Sequence, residues 1–366
     1  MKKKLKQIKI AHKNIKKKKK KQRKKDAILR QLKIQLPKQR NYFTAGEKNV
    51  KKSKKQSVFK LGEPKTKLKC FNVKNLELDF SANRIKDKDI PLLSSSIIKC
   101  EKLQKLTLDL QMNSFKDQSL SSLGSGLAQC PNLSYLALDL RLNNFDDAVY
   151  SSLGQALAKC TLLSTFILDL SQNKIGNDGA QYLFSQLAKC INLESLTLQL
   201  SQTFVSRNQP IQDYQILILG GKLVSSLGHA ITKFSHITTL KLDLKSLNLE
   251  DGKCLTDLGV RIASCDNLSN LEVDLDCNTE NDEFIIQIAK TLEKLKNISN
   301  LTLDLGDNEI QDQGLNKLAL ALKKCQKIES LTLNLENNSF GDKGVANLAK
   351  SLSKFHNLKF LDLNLA

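Results

Sequence analysis

The sequence predicts an α/β solenoid, a single strand-plus-helix unit repeated along most of the chain. Cysteine recurs at 70, 100, 130, 160 and 190, thirty residues apart each time, and a fixed period of this length marks a repeat architecture. Each of these cysteines is followed six, eight and ten residues on by apolar residues. The slot continues as Phe234, Cys265, Leu295, Cys325 and Phe355, which lays about ten copies over residues 70–366.

Within one copy the residues run Cys160, Leu163, Phe166, Leu168, Leu170, Asn173, Ile175, Asp178, Gly179, Leu183 and Leu187. Phe166, Leu168 and Leu170 alternate at period two, as a short strand burying one face requires, whereas Ala180, Leu183 and Leu187 recur at helical spacing. Asn173, whose amide can bond nearby backbone, and Gly179, free to take turn conformations, are expected to carry the chain off the strand. Units of this kind stack with parallel strands inside and helices outside.

These residues resemble the leucine-rich repeats, and within them the long ribonuclease-inhibitor-like type that pairs a strand with a full helix. The resemblance rests on Leu301, Leu303 and Leu305 with Asn308, Ile310, Asp312 and Gly314, and on Leu331, Leu333 and Leu335 with Asn338, Phe340, Asp342 and Gly344. In the family's usual spacing the asparagine follows the second strand leucine by three residues; here it follows by five, because an extra Asp-Leu pair lengthens each strand. Strings such as Leu106-Thr-Leu-Asp-Leu110 are similar to repeat families of ciliate protists. The resemblance implies a right-handed horseshoe that serves as an interaction module.

Charge divides the chain. Residues 1–60 hold 25 Lys and Arg against two acids, a net +23, while residues 61–366 hold 33 against 35, a net −2. Lys16, Lys17, Lys18, Lys19, Lys20, Lys21, Arg23, Lys24 and Lys25 form a like-charge run that repels itself and buries nothing, so residues 1–55 are expected to be a largely disordered polybasic tail. Residues 56–69 are expected to cap the array N-terminally. No apolar run suits a secretory signal or a membrane span, and the expected location is intracellular. The basic run favours the nucleus or nucleolus, with the cytoplasm as the alternative.

The nine cysteines do not read as a metal or disulfide framework. Phe and Leu take the same slot as Cys, so the slot selects apolar volume, and a free cysteine packs as a small hydrophobe. No Cys-x-x-Cys pair exists and the count is odd. Cys254 and Cys277 fall outside the slot and are the candidates for a reactive thiol. No phosphate loop, metal-binding His pair or nucleophile elbow is found. Gly220-Gly221-Lys222 lacks the upstream glycine and the following Ser or Thr of a phosphate loop, and reads as a turn before a helix. No enzyme activity, cofactor or metal is expected.

One row stands out. Between the last two apolar residues of each strand lie Asp79, Asp109, Asp139, Asp169, Gln199, Asp243, Asp274, Asp304, Asn334 and Asn364. Alternation turns them away from the core onto the concave face, with neighbouring strands about 4.8 Å apart. Like charges opposite one another destabilise a sheet, so the seven aspartates are the candidate protein-binding face. Over the four outward strand positions of every copy, twelve acids stand against Lys105, Arg141, Lys241 and Lys245, a net −8. The competing reading is that Asp here bonds neighbouring groups or keeps an open face soluble.

The rhythm breaks once: Cys190 and Phe234 are 44 residues apart, with the insertion near 201–218. At the other end the sequence stops at Ala366, where the helix of the tenth repeat is due, so the expectation is either a fragment of a longer protein or self-association through an open C-terminal strand edge. The expected function is a non-enzymatic scaffold binding a protein with a basic or mixed surface along the acidic concave face. The alternative is a nuclear or nucleolar protein that binds RNA or DNA through its polybasic tail; that tail reads either as a localisation signal or as a binding arm. Membrane attachment is the weakest of the partner readings.

Overall fold

A computed structural model describes residues 57–59 and 72–366, apart from 114–116, 146, 174, 202–218, 248, 250–252 and 279–281. The polybasic run, Cys70 and nearly all of the insertion lie outside the described residues. The described residues fall in one compact unit.

Its strands are β1 (Ser57–Phe59), β2 (Asn75–Asp79), β3 (Lys105–Asp109), β4 (Tyr135–Asp139), β5 (Thr165–Asp169), β6 (Ser195–Gln199), β7 (Thr239–Asp243), β8 (Asn270–Asp274), β9 (Asn300–Asp304), β10 (Ser330–Asn334) and β11 (Phe360–Asn364). All pair in parallel, in chain order, in one sheet. The helices between them are α1 (Ile90–Ile98), α2 (Asp117–Leu127), α3 (Asp147–Leu157), α4 (Asn177–Leu187), α5 (Leu219–Ile231), α6 (Lys253–Ala263), α7 (Asp282–Leu292), α8 (Asp312–Leu322) and α9 (Asp342–Leu352). This is the α/β repeat solenoid expected from the sequence.

From β2 to β11 the register repeats without slippage: Leu76 lies beside Leu106, Leu106 beside Leu136, and Leu301 beside Leu331. A slip of one residue would turn the leucines to solvent, so burial fixes the register. Leu106, Leu108 and Leu110 are fully buried, as are Leu136, Leu138 and Leu140. Each such side chain contributes about 1.5–3 kcal/mol on leaving water. The sheet runs on across the insertion, because Ser195 of β6 still pairs with Thr239 of β7.

Consecutive helices pack side by side. Packed helix axes stand about 8–10 Å apart while strands stand about 4.8 Å apart, so each added repeat bends the array with the sheet on the inner, concave side.

Two ladders lock repeat to repeat. Buried Asn143 donates from Nδ2 to the carbonyls of Leu110 and Leu140, both at 3.0 Å, and its Oδ1 accepts the backbone N–H of Asn113 at 2.9 Å. Asn113, Asn173, Asn278, Asn308 and Asn338 repeat the pattern. The second ladder uses the first residue of a helix. Asp282 of α7 accepts the N–H of Gln311 at 2.8 Å and of Gly314 at 2.9 Å, and so caps α8 in the following repeat. Asp312 caps α9 likewise through Gly341 and Gly344. The N-cap residues of α8 and α9 form no side-chain cap of their own, so this is a capping arrangement whose acid comes from the neighbouring copy.

That arrangement corrects the expectation for Gly179. It lies inside α4, not in the turn, and a Cβ there would collide with the Asp147 carboxylate. Close approach, not turn conformation, requires the glycine. The bend instead falls on residues with positive φ, including Met112 at 58°, Leu142 at 57°, Gln172 at 60° and Cys277 at 57°. Gly220 and Gly221 likewise belong to the first turn of α5 and not to a turn before it.

Candidate functional site

The register brings the outward row together as expected: Asp79 pairs with Asp109, Asp109 with Asp139, Asp139 with Asp169, Asp243 with Asp274, and Asp274 with Asp304. What the carboxylates do there could not be read from spacing. Each Oδ1 accepts the backbone N–H two residues on: Ser81 onto Asp79, Gln111 onto Asp109, Arg141 onto Asp139, Ser171 onto Asp169, Lys245 onto Asp243, Asp276 onto Asp274 and Gly306 onto Asp304. Glu336 and Ala366 donate in the same way to Asn334 and Asn364, and all these distances lie between 2.9 and 3.2 Å. These are Asx turns that end nine of the ten strands from β2 to β11, β6 ending instead in Gln199. They explain why Asn replaces Asp in the last two copies, since an amide oxygen accepts the same bond.

Two members of the candidate row are corrected. Asp139 and Asp169 are 1% and 2% exposed and offer no carboxylate to a partner. Arg141 lies over them, its guanidinium 3.0 Å from Asp139 Oδ2 and 3.8 Å from Asp169 Oδ2. Asp109, Asp243, Asp274 and Asp304 are half-buried, and Asp79 is exposed.

Confinement also changes their charge. Burial, reinforced by the facing Asp169, pushes the Asp139 carboxyl up to about 7 despite Arg141. Burial, reinforced by Asp243, pushes Asp274 to about 7. Burial raises Asp109, Asp169, Asp243 and Asp304 above the ordinary carboxylate range as well. The face therefore carries less negative charge near neutrality than the formal −8.

Three of the four cations on the face, Arg141, Lys241 and Lys245, are matched to acids. Lys241 meets Glu272 at 2.8 Å, and Lys245 meets Asp276. Lys105 stands 5.6 Å from the ring centre of Tyr135. The exposed acids of the face are Glu77, Asp79, Glu336 and Asp362. Its first outward position is Asn, Ser or Thr in seven copies and Lys105, Tyr135 or Phe360 in the others, and its second is Thr in four copies and Glu77, Ala137, Ile167, Lys241, Glu272 or Asp362 in the rest.

The slot cysteines 100, 130, 160, 190 and 325 are buried. The thiols of Cys160, Cys190 and Cys325 reach a carbonyl in the helix one repeat earlier, as in Cys190 to Leu157 at 3.3 Å and Cys325 to Leu292 at 3.3 Å, and those of Cys100 and Cys130 reach the carbonyls of Ser96 and Gly126 four residues back, bonds that Leu and Phe in the same slot cannot make. Burial holds Cys190 at about 12 and Cys325 at about 11, which suppresses the thiolate. Of the two candidate reactive thiols, Cys254 is buried and Cys277 is exposed. Desolvation of the Cys277 thiol, together with the Asp276 and Asp307 carboxylates, pushes it up to about 12. Cys277, Asp276 and Asp307 also form the one grouping of metal-ligand type among the described residues, with Lys245 occupying Asp276. No helix of the described residues is long and apolar enough to cross a membrane.

Residues 167–184, 297–319 and 327–349 match a family model described as Leucine Rich repeat. No curated protein matches the chain in sequence. Among solved structures, a protein from Bacteroides fragilis aligns over 74% of this chain and 69% of its own, at 14% identity and a TM-score of 0.42. A chain from the crystal structure of the Rad7 and Elc1 complex in yeast aligns over 79% of this chain and 62% of its own, at 15% identity and a TM-score of 0.46.

Proposed function

From the premise that this chain is a leucine-rich-repeat protein, we propose that it is a non-enzymatic scaffold that binds a protein partner across the exposed face of its sheet. The observation that carries this reading is the contrast between positions along each strand. Inward leucines and the strand-ending Asp or Asn are nearly uniform because packing and the Asx turn require them. The two outward positions before them are not held to one residue: the first is Asn, Ser or Thr in seven strands but Lys105, Tyr135 and Phe360 in the other three, and the second ranges from Thr in four strands to Glu77, Ile167, Lys241 and Asp362, along an in-register face of ten strands. A solenoid builds its recognition surface from such a row.

The partner has a basic or mixed surface, met by Glu77, Asp79, Glu336 and Asp362 at the two ends of the face and by Tyr135 and Lys105 between them. The test compares proteins captured by the full chain with those captured by Glu77→Lys/Tyr135→Ala/Glu336→Lys. A partner lost from the variant and kept by a chain altered on the helix side supports the proposal. A partner retained by the face variant sinks it.

A second reading, nucleic-acid association through the tail, is favoured by the +23 of residues 1–60 and predicts binding that weakens steeply with salt.

A further inference from the structure

We propose that the edge of the array where helices return to strands is a binding surface for a nucleic-acid backbone, contacted through lysines that recur copy by copy. The position just before the Cys slot holds Lys99, Gln129, Lys159, Lys189, Lys233, Ser264, Lys294, Lys324 and Lys354, and all nine side chains are exposed. The stacking that aligns the strands therefore also aligns lysines along one rim in seven of nine repeats, with Gln129 and Ser264 at the other two positions.

A lysine just beyond a helix C-terminus complements the helix dipole, which accounts for a single lysine per copy, one or two residues past the helix end. It does not account for those further along the turns. Lys102, Lys296, Lys327 and Lys359 lie four to seven residues past the helix ends and are exposed as well. Across the nine turns 99–104, 128–134, 158–164, 188–194, 232–238, 264–269, 293–299, 323–329 and 353–359 there are twelve lysines, five acids and no arginine. That is +7 on an array whose total is close to neutral. The last three turns hold seven of the lysines against Glu293 and Glu329, which pair with Lys324 and Lys359 at 2.9 and 2.8 Å.

Charge complementarity selects a polyanion, and the row selects a linear one with regularly spaced charges. Lysines contact phosphate as point charges, without the bidentate geometry through which arginine reads guanine edges. The phenyl rings of these turns, Phe234 and Phe355, pack into the slot, which leaves only the small imidazoles of His236 and His356 exposed among the lysines and no run of rings on which successive bases could stack. Binding at this edge is accordingly sequence-tolerant and electrostatic. The site is separate from the sheet face and does not depend on the partner proposed there.

The test uses the full chain and its Lys294→Gln/Lys324→Gln/Lys327→Gln/Lys354→Gln variant, which share the same tail, with a labelled single-stranded oligonucleotide followed by anisotropy across a salt series. The variant is expected to bind more weakly, with a salt slope shallower by up to about 3, at about 0.7 for each phosphate that is no longer neutralised. The matching four Lys→Arg changes should keep the affinity. Thermal melts of all three chains should coincide, because these side chains are exposed. Unchanged affinity and slope in the Gln variant would overturn the proposal. So would displacement of the oligonucleotide by polyglutamate at equal charge concentration, which would assign the edge to an acidic protein.

Discussion

Asp139 and Asp169 stand directly opposite one another on adjacent strands, and both are almost completely buried. Two carboxylates in that relation cannot both ionise cheaply, and the single Arg141 shared between them does not restore the balance.

The array should therefore become more stable on mild acidification. Asp139 and Asp274 titrate at about 7 when folded and at about 3.9 when unfolded. Between those values the folded state keeps a proton that the unfolded state has shed. Stability then falls as pH rises through that window. Urea unfolding at pH 5, 6, 7 and 8 should show the fall, and Asp139→Asn/Asp274→Asn should flatten it. A stability that rises with pH in the parent chain would contradict the assignment.

Because the carboxylate's structural work is to accept an amide N–H, Asp304→Asn should leave the fold intact, as Asn334 does naturally one strand away. Leu303→Asp on the buried side should instead unfold several repeats, since an unpaired buried carboxylate costs several kcal/mol and each unit leans on its neighbours. Circular dichroism melts separate the two; coincident melting temperatures would mean that the strand faces are reversed.

Asn143→Ala removes bonds to four backbone groups, the N–H of Asn113 and the carbonyls of Leu110, Leu140 and Arg141, the first three of them buried. Each buried group left without a partner costs about 1–3 kcal/mol, so chemical denaturation should show a loss of at least about 3 kcal/mol. A loss under about 1 kcal/mol would show that water replaces the amide.

Gly314→Ala ought to favour a helix by propensity, yet a Cβ there would collide with the Asp282 carboxylate that caps α8. It should destabilise the chain, and by clearly less when Asp282 is already Ala. A double-mutant cycle measures the difference as a coupling energy; additive effects would remove Asp282 from the explanation.

Relieving the left-handed turn gives the opposite sign. Met112 is 54% exposed with φ at 58°, a conformation that costs a non-glycine residue about 1–2 kcal/mol. Met112→Gly should raise the melting temperature, the gain being partly offset by the added freedom of the unfolded chain.

The sequence by itself determined the repeat, the two periods within it, the leucines that face the core and the row in which the aspartates line up. All of these depend on spacing along the chain, and spacing survives in a linear string. Only the tertiary structure decided what the row does. Whether Asp139 meets a partner or a backbone amide depends on the turn two residues on and on Arg141 closing over it, and neither is a periodic signal. The same holds for Gly179 and Gly314, which look like turn glycines in the string and prove to be the places where an aspartate about one repeat earlier approaches the backbone. Bonds between residues some thirty positions apart form only when stacking brings successive copies within hydrogen-bonding distance, so their chemistry is invisible until the array is built.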